Sequence, residues 1–466
     1  MKNLLSFDET SIAVQGMLLK NHTKARGFSS VSIDSRTVKD GSLFVPLRGE
    51  KQDGHRYIRS ALEKGAVLFF ADEKFLSVDS NKIKTEKLCD EFSASCIQVK
   101  NTLAALQAAA RFYLKKFPNL IKVGITGSSG KTTTKEIAGA VLSQKFSVVM
   151  NKGNLNSETG LPLSVFEVRD EHEVGIFELG MNRKGEMKEI TSVLCPQFGI
   201  ITNIGSAHIG ILGSQQAIAE EKKQIFSFFD KDCMGFVPDC PFTDFLQAVP
   251  LGKVVCYENT TLKNIKKIES KGMYGSTIFY KDEEICFPLA GNHNIKNAQA
   301  VIALAEELGL STKEIKRGLE SVQPIFGRSQ FMQGDVDCLF DCYNANPDSM
   351  SAALAVFSET KVQGKKAAVL GSMLELGKES AAAHKKICAQ AAASDIDFIY
   401  LFGKEIGDSG KNINWNGKTV FYFDESEMGA LGKALDENLH RGDFVLLKAS
   451  RGLALERLEP VLRRAR

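Results

Sequence analysis

Apolar positions alternate along Lys122-Val123-Gly124-Ile125-Thr126 and run into a glycine-rich turn, Gly127-Ser128-Ser129-Gly130. From Lys131 the pattern changes period, and Ala138 and Val141 fall at helical spacing. A buried strand, a tight turn and a helix are therefore predicted in that order. The alternation recurs downstream. Strands are predicted at Val148–Met150, Val174–Glu178, Phe198–Thr202 and Gly235–Val237, with helices at Thr132–Leu142, Gly185–Leu194 and Gln215–Phe229. A helix opens at Asn292 and a shorter one ends near Val322; Pro324 to Arg328 reads as a linker. A further series follows. Its strands are predicted at Cys338–Asp341, Ala367–Leu370, Phe398–Phe402, Val420–Phe423 and Phe444–Lys448. Its helices are predicted at Met350–Phe357, Ser380–Ala393, Ser426–Glu437 and Leu453–Val461. Upstream, the Ala-rich amphipathic helix Leu103–Lys116 stops at Pro118, and residues 1 to about 100 pattern as a small α/β unit. Strands alternating with helices predict an α/β protein with a doubly wound, mostly parallel central sheet.

Such sheets bind ligands at the carboxyl ends of their strands, and the candidate chemistry falls there. Gly127-Ser128-Ser129-Gly130-Lys131-Thr132-Thr133 is a short Gly-x-x-Gly-Lys-Thr phosphate loop. Backbone N–H groups and the positive end of the helix dipole both face an anion in such a turn. Lys131 reaches β- and γ-phosphates, and the Thr132 hydroxyl can ligate Mg²⁺. Glu178 ends a strand and suits an acidic Mg²⁺ ligand; a solvated strand-end glutamate is the plainer alternative. His208 follows another strand in Gly205-Ser206-Ala207-His208-Ile209-Gly210. A neutral imidazole there suits a second Mg²⁺, or a backbone hydrogen bond. Lys222 lies among Glu220, Glu221 and Lys223, which by spacing alone reads as a solvated, ion-paired helix face. Asn294 and Asn297, three apart, share one helix face. The polar loop Asn151–Pro162, with Asn154 and Asn156, follows a strand, where substrate contacts belong. Near the N-terminus, Ser35-Arg36 and Asp53-Gly54-His55 read either as ordinary β-turns or as holders of a phosphate-bearing ligand.

Composition narrows the classes. At 466 residues the chain has room for two to four domains. A net charge of +3 without long Lys/Arg runs argues against a nucleic-acid surface. The ten cysteines form no C-x-x-C pair or zinc spacing, and free thiols in a reducing cytosol are expected. The first residues, with Asp8 and Glu9, do not pattern as a signal peptide, and no apolar run is long enough to span a membrane.

Taken together, these motifs resemble the Mur ligase family, the ATP-dependent amide-forming enzymes of peptidoglycan precursor synthesis. The resemblance covers nearly the whole chain. Thr126-Gly127-x-x-Gly130-Lys131-Thr132-Thr133, Glu178, His208, Gly291-x-His293-Asn294-x-x-Asn297, Arg328 and Asp341 fall in the family's order. Tyr343-Asn344-Ala345-Asn346-Pro347, Leu370-Gly371-x-Met373-Leu374-Glu375-Leu376-Gly377 and Gly153-Asn154-x-Asn156-x-x-x-Gly160-x-Pro162 are similar to the branch that adds D-Ala-D-Ala to UDP-N-acetylmuramoyl-tripeptide. The Asp-Asn-Pro-Arg motif of sister enzymes that add a diamino acid is missing; that activity and a non-catalytic nucleotide-binding paralogue are the alternatives. The resemblance implies three domains: 1–100 for the UDP end of the substrate, 101–323 for ATP, and a Rossmann-like lid over 324–466. It implies ATP contacts from Gly127 to Thr133 and from Asn294, Asn297, Arg328, Asp341 and Asn344. It implies substrate contacts from Ser35, Arg36, Asp53, Gly54, His55, Asn154, Asn156, Asn346, Ser450 and Arg451. Lys131, Glu178, His208 and Lys222 become the expected catalytic set, with Mg²⁺ held by Thr132, Glu178, His208 and a carbamate on Lys222. A cytoplasmic monomer is expected. Two departures stand out: Ser372 where the family usually has Asp, and Phe340 where a second acid often precedes Asp341; either is expected to weaken a contact to ATP or dipeptide.

Overall fold

The computed structural model describes residues 3–21, 25–49 and 52–463. The chain packs as two compact units, one of residues 1–124, 147–181 and 186–196, the other of 125–146, 182–185 and 197–466.

In the first unit, a five-stranded sheet runs in the order Met17–Asn21, Ser95–Val99, Ala66–Asp72, Ser42–Phe44, Ser30–Ser32. Only the Met17–Asn21 edge is antiparallel. Phe44, Phe69 and Leu88 anchor the core on one face. The same unit holds the beginning of the strand Ile121–Thr126, then Val174–Glu178 and Val148–Met150 in that order. The helix Thr102–Leu114 starts where Asn101 accepts from the Ala104 amide, and it buries Ala105, Ala109 and Ala110. Small side chains let it lie close to its neighbours.

In the second unit, the end of Ile121–Thr126 is followed in order by Phe198–Ile201, Met234–Val237 and Lys253–Cys256. The last three strands pair in parallel. An antiparallel sheet of Ile265–Ser270, Ser276–Tyr280 and Glu283–Phe287 comes next, which the pattern did not predict. The C-terminal sheet has the order Gln330–Met332, Asp337–Asp341, Phe444–Lys448, Lys366–Gly371, Phe398–Phe402, Thr419–Phe423. All its pairs are parallel except the one made by Gln330–Met332. It is covered on both faces, by Met350, Phe357 and Ile387 on one and by Leu431, Leu435 and Leu458 on the other. Burial on both faces accounts for its near-continuous apolar strands.

Two predicted helices are shorter than expected. Gln215–Lys223 gives way to a 3₁₀ turn at Gln224–Phe226. The segment predicted as a helix over Leu453–Val461 is instead broken into 3₁₀ turns and a four-residue helix, with Ala454 left-handed at φ 50°. Among the described residues, no helix is long and apolar enough to cross a membrane, and the ten cysteines are free thiols.

Candidate active site

The phosphate loop is shaped by what surrounds it. A Cβ on Gly127 would lie 1.8 Å from the Thr202 hydroxyl oxygen, so only glycine passes there. Gly130 is left-handed at φ 78° and precedes the helix Lys131–Leu142. The segment at the end of the neighbouring strand Phe198–Ile201 pins the turn. The Thr202 hydroxyl donates to Ser129 O at 2.6 Å, and the Ser129 amide donates to Asn203 Oδ1 at 2.9 Å. The Lys131 ammonium donates to Gly127 O at 2.8 Å, so the side chain folds over the loop from which it springs.

Asn294 and Asn297 stand behind this turn. Both are buried. Asn294 donates to Ala290 O at 2.8 Å, and Asn297 donates to Asn294 Oδ1 at 3.2 Å. A Cβ on Gly130 would meet Asn297 Oδ1 at 2.8 Å, so this pair backs the loop.

His208 and Lys222 carry the most perturbed chemistry. His208 is left-handed at φ 65°, an unusual conformation for a residue with a side chain. Its Nδ1 is buried with no hydrogen-bond partner. Burial, assisted by the charges of Lys222 and Lys131, lowers its pKa to about 4, so the ring is neutral at pH 7. Lys222 is 1% exposed. Burial, with the Lys131 charge, drives its pKa well below the ordinary lysine value; Glu221 opposes the shift. The solvated helix face that spacing alone suggested is therefore not what Lys222 occupies. The adjoining Glu221 is committed elsewhere, accepting from the Gly185 amide at 2.9 Å.

A cavity of about 160 Å³ is lined by Ser128, Lys131, His208, Asn344, Asn346, Ser450 and Arg451, with Leu374 and Glu375 closing it. Glu375, also left-handed at φ 66°, brings a carboxylate oxygen to 3.6 Å from His208 Nδ1. Two anchors hold the segment that carries it: Met373 N–H donates to His384 Nε2 at 2.8 Å, and Leu374 N–H to Ser450 Oγ at 2.9 Å. Burial keeps the His384 pKa below its usual value, which preserves that acceptor. Asp341 pairs with the buried Lys448 at 2.8 Å, and Lys448 also donates to Asn344 O at 2.9 Å. The Arg328 guanidinium sits 4.0 Å from the Tyr343 ring centroid and that of Arg451 5.7 Å from it.

Glu178 lies in the first unit. It is buried; Asn156 Nδ2 donates to its Oε1 at 2.7 Å, and its backbone N–H donates to Asn151 Oδ1 at 2.9 Å. Asn156, expected against substrate, thus orients the carboxylate. Asn154 sits on the exposed part of the same loop. In the N-terminal segment, Asp53 accepts from the His55 amide and starts the 3₁₀ turn Gly54–Tyr57. His55 Nε2 accepts from the Asp72 amide at 3.2 Å, so Nδ1 carries the proton and donates to Asp53. Stacked on Phe75 at 4.3 Å, the ring has no nitrogen left for a ligand. Ser35 is buried, whereas Arg36 is exposed and paired with Asp34, whose pKa its guanidinium lowers to about 2.

The two departures prove to be interior positions. Ser372 is fully buried; its Oγ accepts from the Ile406 amide at 3.3 Å, and it does not line the cavity. Phe340 packs in the hydrophobic core against Phe326. Neither side chain lines the cavity, so neither offers a ligand contact of its own. Sequence reasoning gave no role to Thr202 or His384 and read Asn151 only as part of a polar loop; their hydrogen bonds join other segments of the chain.

Among the described residues, no cluster of three or more His, Cys, Asp and Glu side chains is preformed for a metal. Of the expected metal donors, Thr132 offers a hydroxyl oxygen of the kind Mg²⁺ prefers, and His208 a neutral imidazole whose Nδ1 has no hydrogen-bond partner.

Comparison with known proteins places the chain by family and fold. Residues 28–114 match the Mur ligase family catalytic domain, 125–305 the Mur ligase middle domain, and 327–451 the Mur ligase glutamate ligase domain. The UDP-N-acetylmuramoyl-tripeptide–D-alanyl-D-alanine ligase of Treponema pallidum is 51% identical over 463 residues, covering 99% of this chain and 100% of that one. Its Bacillus subtilis counterpart is 32% identical, covering 96% and 95%. A crystal structure of MurF from Acinetobacter baumannii superposes with a TM-score of 0.86 at 26% identity, covering 98% of each chain. MurF from Thermotoga maritima in complex with ADP gives 0.76 at 26% identity, covering 93% and 97%. A phosphate loop braced from the end of the neighbouring strand, matches in the family's domain order, and a relative at 51% identity over nearly the full length together mean that the chain belongs to the Mur ligase family.

Proposed function

We propose that the protein joins D-Ala-D-Ala to UDP-N-acetylmuramoyl-tripeptide, with ATP converted to ADP and phosphate, in peptidoglycan synthesis. The observation that carries this reading is the 51% identity to a ligase of that specificity over essentially the whole length of both chains. It is favoured over a diamino-acid-adding sister by the same relatives, and over a non-catalytic paralogue by the intact Lys131, Glu178, His208 and Lys222.

The residues supply the parts that phosphoryl and acyl transfer need. The substrate's terminal carboxylate attacks the γ-phosphate; the loop amides and Lys131 stabilise charge spreading over the phosphoryl oxygens. The amine of D-Ala-D-Ala then displaces phosphate from the acyl phosphate. Holding both reactants together supplies much of the rate. Asn344, Asn346, Ser450 and Arg451 line the cavity and suit the dipeptide and nucleotide. Asn294 and Asn297 support the loop; Arg328 and Asp341 serve ATP. Ser35, Arg36 and the turn at Asp53-Gly54 serve the UDP end. Thr132, Glu178, His208 and Lys222 would hold Mg²⁺, which, when bound, neutralises triphosphate charge. The low pKa of Lys222 supports a carbamate, because only the neutral amine adds CO₂, with release of one proton. The reading divides the chain into a UDP-substrate domain (1–100), an ATP domain (101–323) and a lid (324–466), working as a cytoplasmic monomer.

Phosphate release from ATP tests the activity. It is expected only when UDP-tripeptide and D-Ala-D-Ala are both present, and to be lost in Lys131→Ala. Release with neither substrate, or unchanged turnover in that variant, refutes the proposal.

A further inference from the structure

The helix Pro347–Glu359 touches the phosphate-loop region at two points that none of the expected roles covers. At its start, Asn346 accepts from the Ser349 amide through Oδ1 at 2.9 Å and donates through Nδ2 to Ser129 Oγ at 3.0 Å. Two residues on, Asp348 Oδ2 accepts both from the Ser206 amide at 2.8 Å and from the Ser206 hydroxyl at 2.9 Å. The loop is shaped to receive this carboxylate: a Cβ on Gly205 would lie 2.3 Å from Asp348 Oδ2. The Gly205 amide in turn donates to Ser128 Oγ at 2.9 Å. One carboxylate thus fixes the segment that leads into His208 and, through Ser128, the phosphate loop itself. His208 needs such a restraint, because its backbone is left-handed at φ 65° and its Nδ1 makes no hydrogen bond of its own.

We infer that Asp348 is a positioning residue: from the C-terminal domain, it sets the conformation of Gly205–His208 against the phosphate loop through its two hydrogen bonds to Ser206. Its kinetic consequence rests on the ligase reading above. A carboxylate that accepts two hydrogen bonds from one residue restrains both its backbone and its side chain, and small displacements of a reacting group cost large factors in rate. The effect is therefore expected in kcat rather than in the Michaelis constant for UDP-tripeptide.

Hydrogen exchange on the full-length protein without substrates tests the geometry independently of activity. Asp348→Ala is expected to speed exchange of the amides at 205–208 at least fivefold, while the amides of the helix core at 352–357 change less than twofold. Asp348→Asn, which keeps one acceptor oxygen and the helix start, should fall between Asp348→Ala and the wild type, so the test does not depend on the alanine variant alone. In turnover, Asp348→Ala is expected to lower kcat at least tenfold, and adding Ser206→Ala should lower it by less than a further twofold. Unchanged exchange at 205–208, acceleration spread equally over the helix, or fully additive kinetic losses overturns the inference. If the wild-type protein shows no ligase turnover, the functional reading fails while the exchange result still decides the role of Asp348.

Discussion

Replacing Lys222 with methionine separates the stability of the fold from its chemistry. The side chain is 1% exposed, and its pKa is driven well below the ordinary lysine value chiefly by burial. At any pH between the lowered folded value and the ordinary lysine value, folding therefore expels a proton that the unfolded chain binds. Methionine has a similar volume and no charge. Replacing a buried amine by an apolar side chain of like size removes the cost of desolvating a polar group, on the order of 1–3 kcal/mol, so Lys222→Met is expected to raise stability by that order. The pH dependence carries a sign. Between the folded and unfolded pKa values the unfolded state holds the extra proton, so this residue makes wild-type stability rise with pH, by up to about 1.4 kcal/mol per unit. Lys222→Met should lose that slope. Carbamate formation adds a further arm: CO₂ at ten times its dissociation constant stabilises the wild type by about 1.4 kcal/mol and leaves the variant unchanged. The assay is urea unfolding at pH 7 and 9, with and without bicarbonate, beside ligase turnover, which should be abolished. A variant less stable than wild type at pH 7 with an unchanged pH slope, or one that turns over normally, would refute the reasoning.

Two other outcomes follow from interior hydrogen bonds. Ser372→Ala removes the acceptor for the buried Ile406 amide and should cost about 1–2 kcal/mol of stability in urea unfolding, with less than a twofold change in the Michaelis constants for ATP and dipeptide; a large rise in either constant without destabilisation contradicts the placement. Burial lowers the His384 pKa, and its Nε2 accepts from Met373 N–H. The stability it contributes is thus complete above its unfolded pKa of about 6.5 and declines as pH falls below that value toward the folded pKa; His384→Gln should flatten the fall in urea midpoint between pH 7 and 5.5, and an identical slope rejects this account.

What the sequence revealed and what it concealed divide along physical lines. The strand Ile121–Thr126 and helix Lys131–Leu142 were readable because apolar spacing and glycine punctuation are local signals. The antiparallel sheet Ile265–Phe287 escaped notice. Its first strand is exposed at most positions and offers little apolar alternation. Leu453–Val461 has helical composition, but Ala454 turns left-handed between two 3₁₀ turns, a tertiary choice that overrides propensity. Candidate site residues could be named where chemistry needs a residue type, as at Lys131, Glu178 and His208. The supporting cast was hidden because its partners are remote: Asn151 and Asn156 hold Glu178 from more than twenty residues away. That Ser372 is an interior position was hidden for the same reason, since its partner, the Ile406 amide, is remote in sequence.

Asn346 shows how narrow the chemical tolerance of such a junction is. Its amide is bifunctional, the oxygen serving its own helix and the nitrogen serving Ser129. Aspartate would retain the first service and reverse the second, so that the Ser129 hydroxyl would have to donate to a charged oxygen, and serine would be too short to span both. A single change of nitrogen to oxygen would therefore leave a well-formed helix while setting a negative charge, in place of a neutral donor, against the loop that must receive an anion.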